Sequence, residues 1–211
     1  MNSALATLTA PLDWPAPPSE AAYYGLAGDI VRVIEPHTES DPVAILSQLL
    51  VAFGNLVGRG PHRMVGATAH HVNESLLLVG PSSRGRKGSS WDCIEEVVGR
   101  ADPEWADTRI QTGMASGEGL IWHVRDAGVM PLRPGEVDLG VEDKRLLVVE
   151  PEFALVLRVL AREGNTLSAV VRNAWDGKPL QTMSKNSPTR ATGTHISIVG
   201  HISADELLRY I

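Results

Sequence analysis

Hydrophobic residues recur along this chain at two spacings, and the alternation between them outlines a fold. Between Glu20 and Ile34, Tyr23, Leu26, Ile30, Val33 and Ile34 fall on one face of a helix that Pro36 ends. Ser40-Asp41-Pro42 announces a second helix, with a capping side chain before a first-turn proline; it runs strongly apolar from Val43 to Val57 and stops at Gly58 and Gly60. Residues 1–20 hold four prolines and little period, as a tail or lead-in strap would. Arg63 to Asn73 reads as a strand expected to pair with the next apolar run, Leu76 to Val79, a short buried strand. Trp91, Ile94, Val97 and Val98 then return to helical spacing. Thr108 to Met114 predicts another core strand, and Ser116 caps a helix reaching Arg125. Pro131 to Lys144 is polar and aperiodic. Leu146 to Val149 is a buried strand, and helices follow over Phe153–Arg162 and Thr166–Trp175. A turn at Asp176-Gly177, a core strand over Thr194–Gly200 and a capped helix from Ser203 complete the pattern. Strands alternating with helices predict an α/β fold whose mainly parallel sheet is flanked by helices, with a small helical segment in front. The division falls near residue 60, giving a lead-in over 1–60 and a core over 61–211.

Composition narrows the class. Hydrophobic residues make up 43% of the 211, aromatics only 5%, and the 20 glycines and 14 prolines suit many short connections. Cys93 is the single cysteine, which excludes an internal disulfide and a multi-cysteine metal site and is compatible with a reducing cytosol. No apolar run reaches membrane-spanning length and no leader pattern opens the chain, so a cytoplasmic protein without a membrane partner is expected. A net charge of −6 argues against nucleic-acid binding through the whole surface but leaves room for a local basic loop. His70 and His71 are neighbours on a strand and point to opposite faces, which argues against a shared metal.

The candidate chemistry sits after the first buried strand, in Gly80, Pro81, Ser82, Ser83, Arg84, Gly85, Arg86, Lys87, Gly88, Ser89 and Ser90. A strand, a glycine-interrupted loop with a lysine, hydroxyls and then a helix is the order that builds a phosphate site, because loop amides and the helix N-terminus both face an anion. The P-loop pattern G-x-x-x-x-G-K-[ST] is offset here: Gly80 and Gly85 call for lysine at 86, where arginine stands, and Lys87 follows one residue late. A solvated basic turn is the alternative reading. Carboxylates arrive at the end of the strand Leu146–Val149 as Glu150 and Glu152, where acids need a cation or water. One such acid would serve Mg²⁺ and a second would orient water. Glu118 stands where a strand hands over to a helix; it is either a ligand-edge acid or a first-turn acid favoured by the helix dipole. From Gly177 to Ala204 there is no acidic residue, while Lys178, Lys185 and Arg190 occur, so single-stranded DNA contacts are expected there, with an ordinary solvated hairpin as the alternative.

Several stretches together resemble the RecA-like, helicase-type P-loop ATPases of unknown function carried by phages, plasmids and integrative elements, some linked to primase–polymerase modules. They are Leu78 to Ser90, Ser116 to Ile121, Val149 to Phe153, Leu167 to Gly177 and Arg190 to His201, and the resemblance covers most of the chain from about residue 12. It implies a RecA-like core, with ATP and Mg²⁺ held by Gly80 to Ser90. Lys87 would be the phosphate lysine, Ser89 or Ser90 would lie near the metal, and Glu150 would be the metal-side acid. Glu118 would activate water, with Glu152 as the substitute base, and His201 would take the position that senses the γ-phosphate. It further implies a helicase-like DNA replication protein that works as a homo-oligomer (a hexameric ring) or with a primase. Relatives continue into further strands and an arginine-bearing segment, so slow turnover is expected of this chain alone. Two rivals remain open: a nucleotide-gated DNA-binding or scaffold protein without turnover, and a small-molecule kinase using the same loop.

Overall fold

The computed structural model describes residues 16–81, 85–128, 137–183 and 188–210. A 3-10 turn at Glu20–Ala22 precedes helix α1 (Gly25–Ile34), and α2 (Pro42–Val57) follows after a second such turn at Glu35–His37. The start of α2 follows from its residues. The Asp41 carboxylate accepts a hydrogen bond from the Val43 amide at 2.8 Å, and Pro42 takes the position where a missing N–H is harmless. Next come a hairpin of β1 (His62–Val65) and β2 (Thr68–His71), then β3 (Ser75–Val79), α3 (Lys87–Ala101), α4 (Pro103–Arg109), β4 (Ile110–Gln111) and α5 (Gly117–Trp122). The second half holds β5 (Arg145–Glu150), α6 (Phe153–Leu160), α7 (Leu167–Trp175), a small hairpin of β6 (Leu180–Thr182) and β7 (Thr189–Ala191), β8 (His195–Ile202) and α8 (Ala204–Leu207).

Four strands form one parallel sheet in the order β3-β8-β5-β4. Side chains alternate along each strand, so the two central strands feed two cores. Leu146, Val148, Ile196 and Ile198 pack with α5, α6 and α7 on one face. Leu147, Val149 and Val199 pack with α1 to α4 on the other, so the N-terminal helices share one apolar cluster with the sheet. The chain crosses from β3 to the far edge at β4 through α3 and α4, and comes back through β5 to β8 with α5 to α7 on the opposite face. This doubly wound path brings the C-terminal ends of all four strands to one edge, the edge where open α/β sheets bind ligands.

The alternation of strand and helix stands as expected, and several local expectations change. Arg63 to Asn73 does not pair with the strand before the glycine loop. It folds on itself, because Gly66 reaches φ +60° and closes a hairpin with register His62↔His71 to Val65↔Thr68. The strand expected over Thr108–Met114 shrinks to Ile110–Gln111, since the Asp102 carboxylate caps α4 and carries helix through Arg109. The run Leu76–Val79 is not fully buried: β3 is an edge strand and Leu77 is 37% exposed. Helix α1 starts at Gly25 rather than Glu20, and α8 ends at Leu207. The first fifteen residues of the lead-in, residues 131–136 of the loop expected at 131–144, and Lys185 lie outside the described residues. Among the described residues, no helix is long and apolar enough to cross a membrane.

Leu147 is fully buried at the centre of β5. Leu147→Ala should lower the free energy of unfolding in urea by about 2–5 kcal/mol, the range for deleting a buried leucine side chain. A loss below about 1 kcal/mol, the size of an average substitution, would show that the core does not centre on this strand.

Candidate phosphate-binding site

The loop after β3 is tied down at its start and strained at its end. The Gly80 amide donates to the Ile202 carbonyl at the end of β8 (3.2 Å), and the Gly85 amide donates back to the Pro81 carbonyl (3.1 Å). A Cβ at Gly85 would lie 2.8 Å from the Pro81 oxygen, so the return of the chain at this point requires glycine. Arg86 then adopts φ +45°, the only positive φ on a non-glycine residue among those described. Such a conformation costs roughly 1–2 kcal/mol for a residue with a Cβ. It falls immediately before the lysine, where the P-loop pattern has its second glycine, so the left-handed position here is filled by an arginine that follows Gly85. The Arg86 guanidinium pairs with Glu39, ahead of α2, but both side chains are about half exposed or more and the pair adds little. Ser82, Ser83 and Arg84 lie outside the described residues.

Lys87 is the first residue of α3. Its ammonium donates to the Gly80 and Pro81 carbonyls, both at 3.1 Å, so the loop is folded around it. The N-cap residue Arg86 gives this helix no side-chain cap. The first-turn amides of Lys87, Gly88 and Ser89 therefore have no acceptor from their own helix and carry its positive dipole end. Gly88 and Ser89 are exposed, whereas Ser90 is completely buried. The Ser90 hydroxyl donates to the Lys87 carbonyl and accepts from the Gln48 side chain, both at 2.7 Å, which leaves Ser89 as the accessible hydroxyl of the first turn.

Two clefts flank this turn. One, of about 610 Å³, runs between the start of α2 (Ser40 to Ala44) and Val79, Gly80 and Lys87. The other, of about 410 Å³, opens between Gly88, Asp92 and the strand ends at Thr112, Pro151 and His201. None of Glu118, Glu150 and Glu152 lines either cleft. Glu150 is buried and accepts the Met114 amide, so it holds the segment between β4 and α5. Glu118 is exposed on α5 and accepts the Thr166 hydroxyl at 3.1 Å, ahead of α7 and on the face of the sheet opposite α3. The chain has changed faces by then because the connections after β4 run back across the sheet, and right-handed crossovers in the reverse direction place their helices on the other face. Glu152 is exposed at the N-cap of α6.

His201 is buried beneath the first turn of α3, and its Nε2–H donates to the Gln48 side-chain carbonyl at 2.8 Å. Burial pushes its pKa down to about 4, and the nearby charge of Lys87 pushes in the same direction, so the ring is neutral at pH 7. The basic residues of the acid-free segment stand at the other end of the molecule. Lys178 is paired with Asp176 at 2.7 Å, and Arg190 is exposed on β7; both flank the small hairpin that leads into the start of β8. The eight residues of β8 separate them from the phosphate loop, a span of about 25 Å. Among the described residues, no group of three or more His, Cys, Asp or Glu is placed to hold a metal ion. The donors beside Lys87 have the chemistry to meet a phosphate chain; among the described residues a protein ligand set for Mg²⁺ is not assembled there.

Gln48 went unnoticed in the sequence because it sits in a nearly unbroken apolar run. The available signal was that Gln48 and Asn55 fall on the core-facing side of α2, where a polar group has to be bonded. A comparison with protein-family models and a search of curated proteins each returned no match to this chain. What the fold defines is an α/β protein with a four-stranded parallel sheet flanked by helices, in which α3 starts at the C-terminal edge of the strands.

Two outcomes follow from this geometry. Below pH 6.5 the unfolded chain takes up a proton that native His201 refuses until about pH 4, so His201 makes stability fall as the pH drops through that window. The effect is on the order of 3 kcal/mol at the bottom of the window, at about 1.4 kcal/mol per pKa unit. In His201→Gln the dependence of urea unfolding on pH over that range should flatten by up to one proton; an unchanged slope would mean the ring is not held neutral. Arg86→Gly should stabilise the fold by about 1 kcal/mol by relieving the left-handed backbone, and Arg86→Ala should not. Equal effects of the two would remove strain as the reason.

Proposed function

We propose that this chain is an ATP-binding core of the RecA-like P-loop type, with ATP and Mg²⁺ at Gly80 to Ser90, serving a helicase-like DNA replication protein of a mobile element. The single observation that carries the reading is Lys87. It stands first in a 15-residue helix that its N-cap residue leaves uncapped, at the C-terminal edge of a parallel sheet, with its ammonium folded into a glycine loop. The sheet, flanked by helices on both faces, is compatible with a Rossmann or RecA-like core. In the proposed complex the Lys87 ammonium exchanges the Gly80 and Pro81 carbonyls for phosphate oxygens. The amides of Lys87, Gly88 and Ser89 share the negative charge, and Ser89 offers its hydroxyl. Mg²⁺ supplies charge neutralisation on the phosphate oxygens when the nucleotide brings it. Turnover is water attacking the γ-phosphorus in line, breaking its bond to the β–γ bridging oxygen and releasing ADP and phosphate.

A second reading is favoured by one feature: no carboxylate lines the clefts beside Lys87 except those already engaged around Glu39 and Asp41 and those carried on α3 itself. Glu118 or Glu150 has to leave its present hydrogen bond before it orients water. Binding without rapid turnover is therefore the expected behaviour of this chain. Single-stranded DNA, through Lys178, Lys185 and Arg190, and a second copy or a primase remain the proposed partners.

Titration with a fluorescent ATP analogue tests the site. Lys87→Ala should weaken binding by about a hundredfold, the loss of a charge-assisted contact worth close to 3 kcal/mol. Arg86→Ala should weaken it only a few-fold, since Arg86 points outward to Glu39. Equal losses in both variants would contradict the assignment of Lys87 as the phosphate lysine.

A further inference from the structure

Helix α2 sends Gln48 into the interior, where the side chain is fully buried and every polar group on it is bonded. Its amide nitrogen donates to the Ala44 carbonyl (3.1 Å) and to the Ser90 hydroxyl (2.7 Å), and its carbonyl accepts from His201. The direction of the chain of bonds is forced. Turning the amide round would set an oxygen against the Ala44 carbonyl oxygen, so the nitrogen faces Ser90. Ser90 must then accept from Gln48, and it has one hydrogen left, which goes to the Lys87 carbonyl at 2.7 Å. His201 must carry its proton on Nε2. An unbroken run of donors and acceptors thus connects the cleft wall at His201, through α2, to the backbone of the lysine.

We propose that Gln48 is a positioning residue for the phosphate site: through Ser90 it pins the Lys87 carbonyl inward and so holds the first-turn amides of α3 outward, toward the anion. This rests on the phosphate reading of Lys87. The physical reason is preorganisation, since donors that are already aimed need no reordering when charge arrives. Helix α2 also reaches the residue before the lysine, because Glu39 and Ser40, which precede it, contact the Arg86 side chain and carbonyl. The N-terminal helical segment is therefore part of the site and not only a cover for the sheet. The same helix supplies a control. Asn55 is equally buried and makes as many hydrogen bonds, to the Leu146 and His195 carbonyls and from the Trp105 indole, but at the opposite end of the sheet.

The experiment uses the full chain with Gln48→Met, Ser90→Ala and Asn55→Leu, read by amide hydrogen exchange and by affinity for two probes, Mg-ATP and inorganic tripolyphosphate. Gln48→Met should speed exchange in the first turn of α3 by about tenfold, and weaken both probes by about tenfold, the size of one buried hydrogen bond. Ser90→Ala should do the same, and the double variant should be no worse than the weaker single, because both cut one link. Ser90→Ala should also shift the His201 Nε2–H proton resonance. Asn55→Leu should destabilise the protein and leave both affinities unchanged. Normal binding and normal first-turn exchange in Gln48→Met, or an equal loss of affinity in Asn55→Leu, would overturn the inference. If Gln48→Met does not fold, Ser90→Ala decides it alone. Failure of the unaltered chain to bind either probe overturns the phosphate reading and this inference with it; normal binding in the variants overturns the inference only.

Discussion

The first turn of α3 is gripped from below, and most of the chain bears on that grip. Ser90, Gln48 and His201 are all buried and hydrogen-bonded in series. Breaking any one of these bonds leaves a polar group stranded in the interior, at a cost of about 1–3 kcal/mol. The three residues come from three places in the sequence, α3, α2 and β8, so the turn is right only when all three elements are docked. The apolar cluster of Ile45, Leu49, Trp91, Ile94 and Val199 brings them together, and the hydrogen bonds fix how they meet. Above the grip, Arg86 bears the strain of a left-handed backbone and the lysine ammonium closes the loop on itself.

The chemistry is distributed unevenly across the sheet. Lys87, Arg86 and the first-turn amides of α3 gather where β3 hands over to α3, with Glu39, Asp41, Asp92 and Glu95 along the neighbouring clefts, whereas Glu118 and Glu150 are bonded to Thr166 and to the Met114 amide. Met114 and Thr166 belong to the segments that position α5 and α7 on the other face. On the proposed reading, a phosphate at the loop would meet Lys87 before it met either of these two carboxylates. The exposed basic residues Lys178 and Arg190 lie at the opposite edge, so nucleic acid bound there would communicate with the loop only along β8. That strand ends in the buried His201.

Much of the architecture was legible in the sequence. The run Leu146–Val149 is apolar on both faces, as a central parallel strand must be, and Thr194–Gly200 carries Ile196, Ile198 and Val199; they became β5 and β8. The capping signals at Asp41, Ser116 and Ser203 all appear as hydrogen bonds. What failed was pairing. Nothing local told the β1–β2 segment to close on itself at Gly66, or told Thr108 to stay helical under the Asp102 cap. The loop was legible as a lysine-bearing turn, but its register was not, because a positive φ at Arg86 contradicts residue preference. Side-chain direction at strand ends was the least legible: His201 turns down to Gln48, and Glu150 turns to the face away from α3, both set by partners far away in sequence.

The most direct measurement of the central claim is a titration of the ¹⁵N-labelled chain with Mg-ATP, following every backbone amide. A phosphate site at the start of α3 predicts saturable shifts that are largest at Gly80, Gly85, Lys87, Gly88 and Ser89. Smaller ones should pass to Gln48 and His201, and the β6–β7 hairpin should be silent. Saturation with shifts confined to the hairpin end of the sheet, or no saturable shift at all, would contradict it.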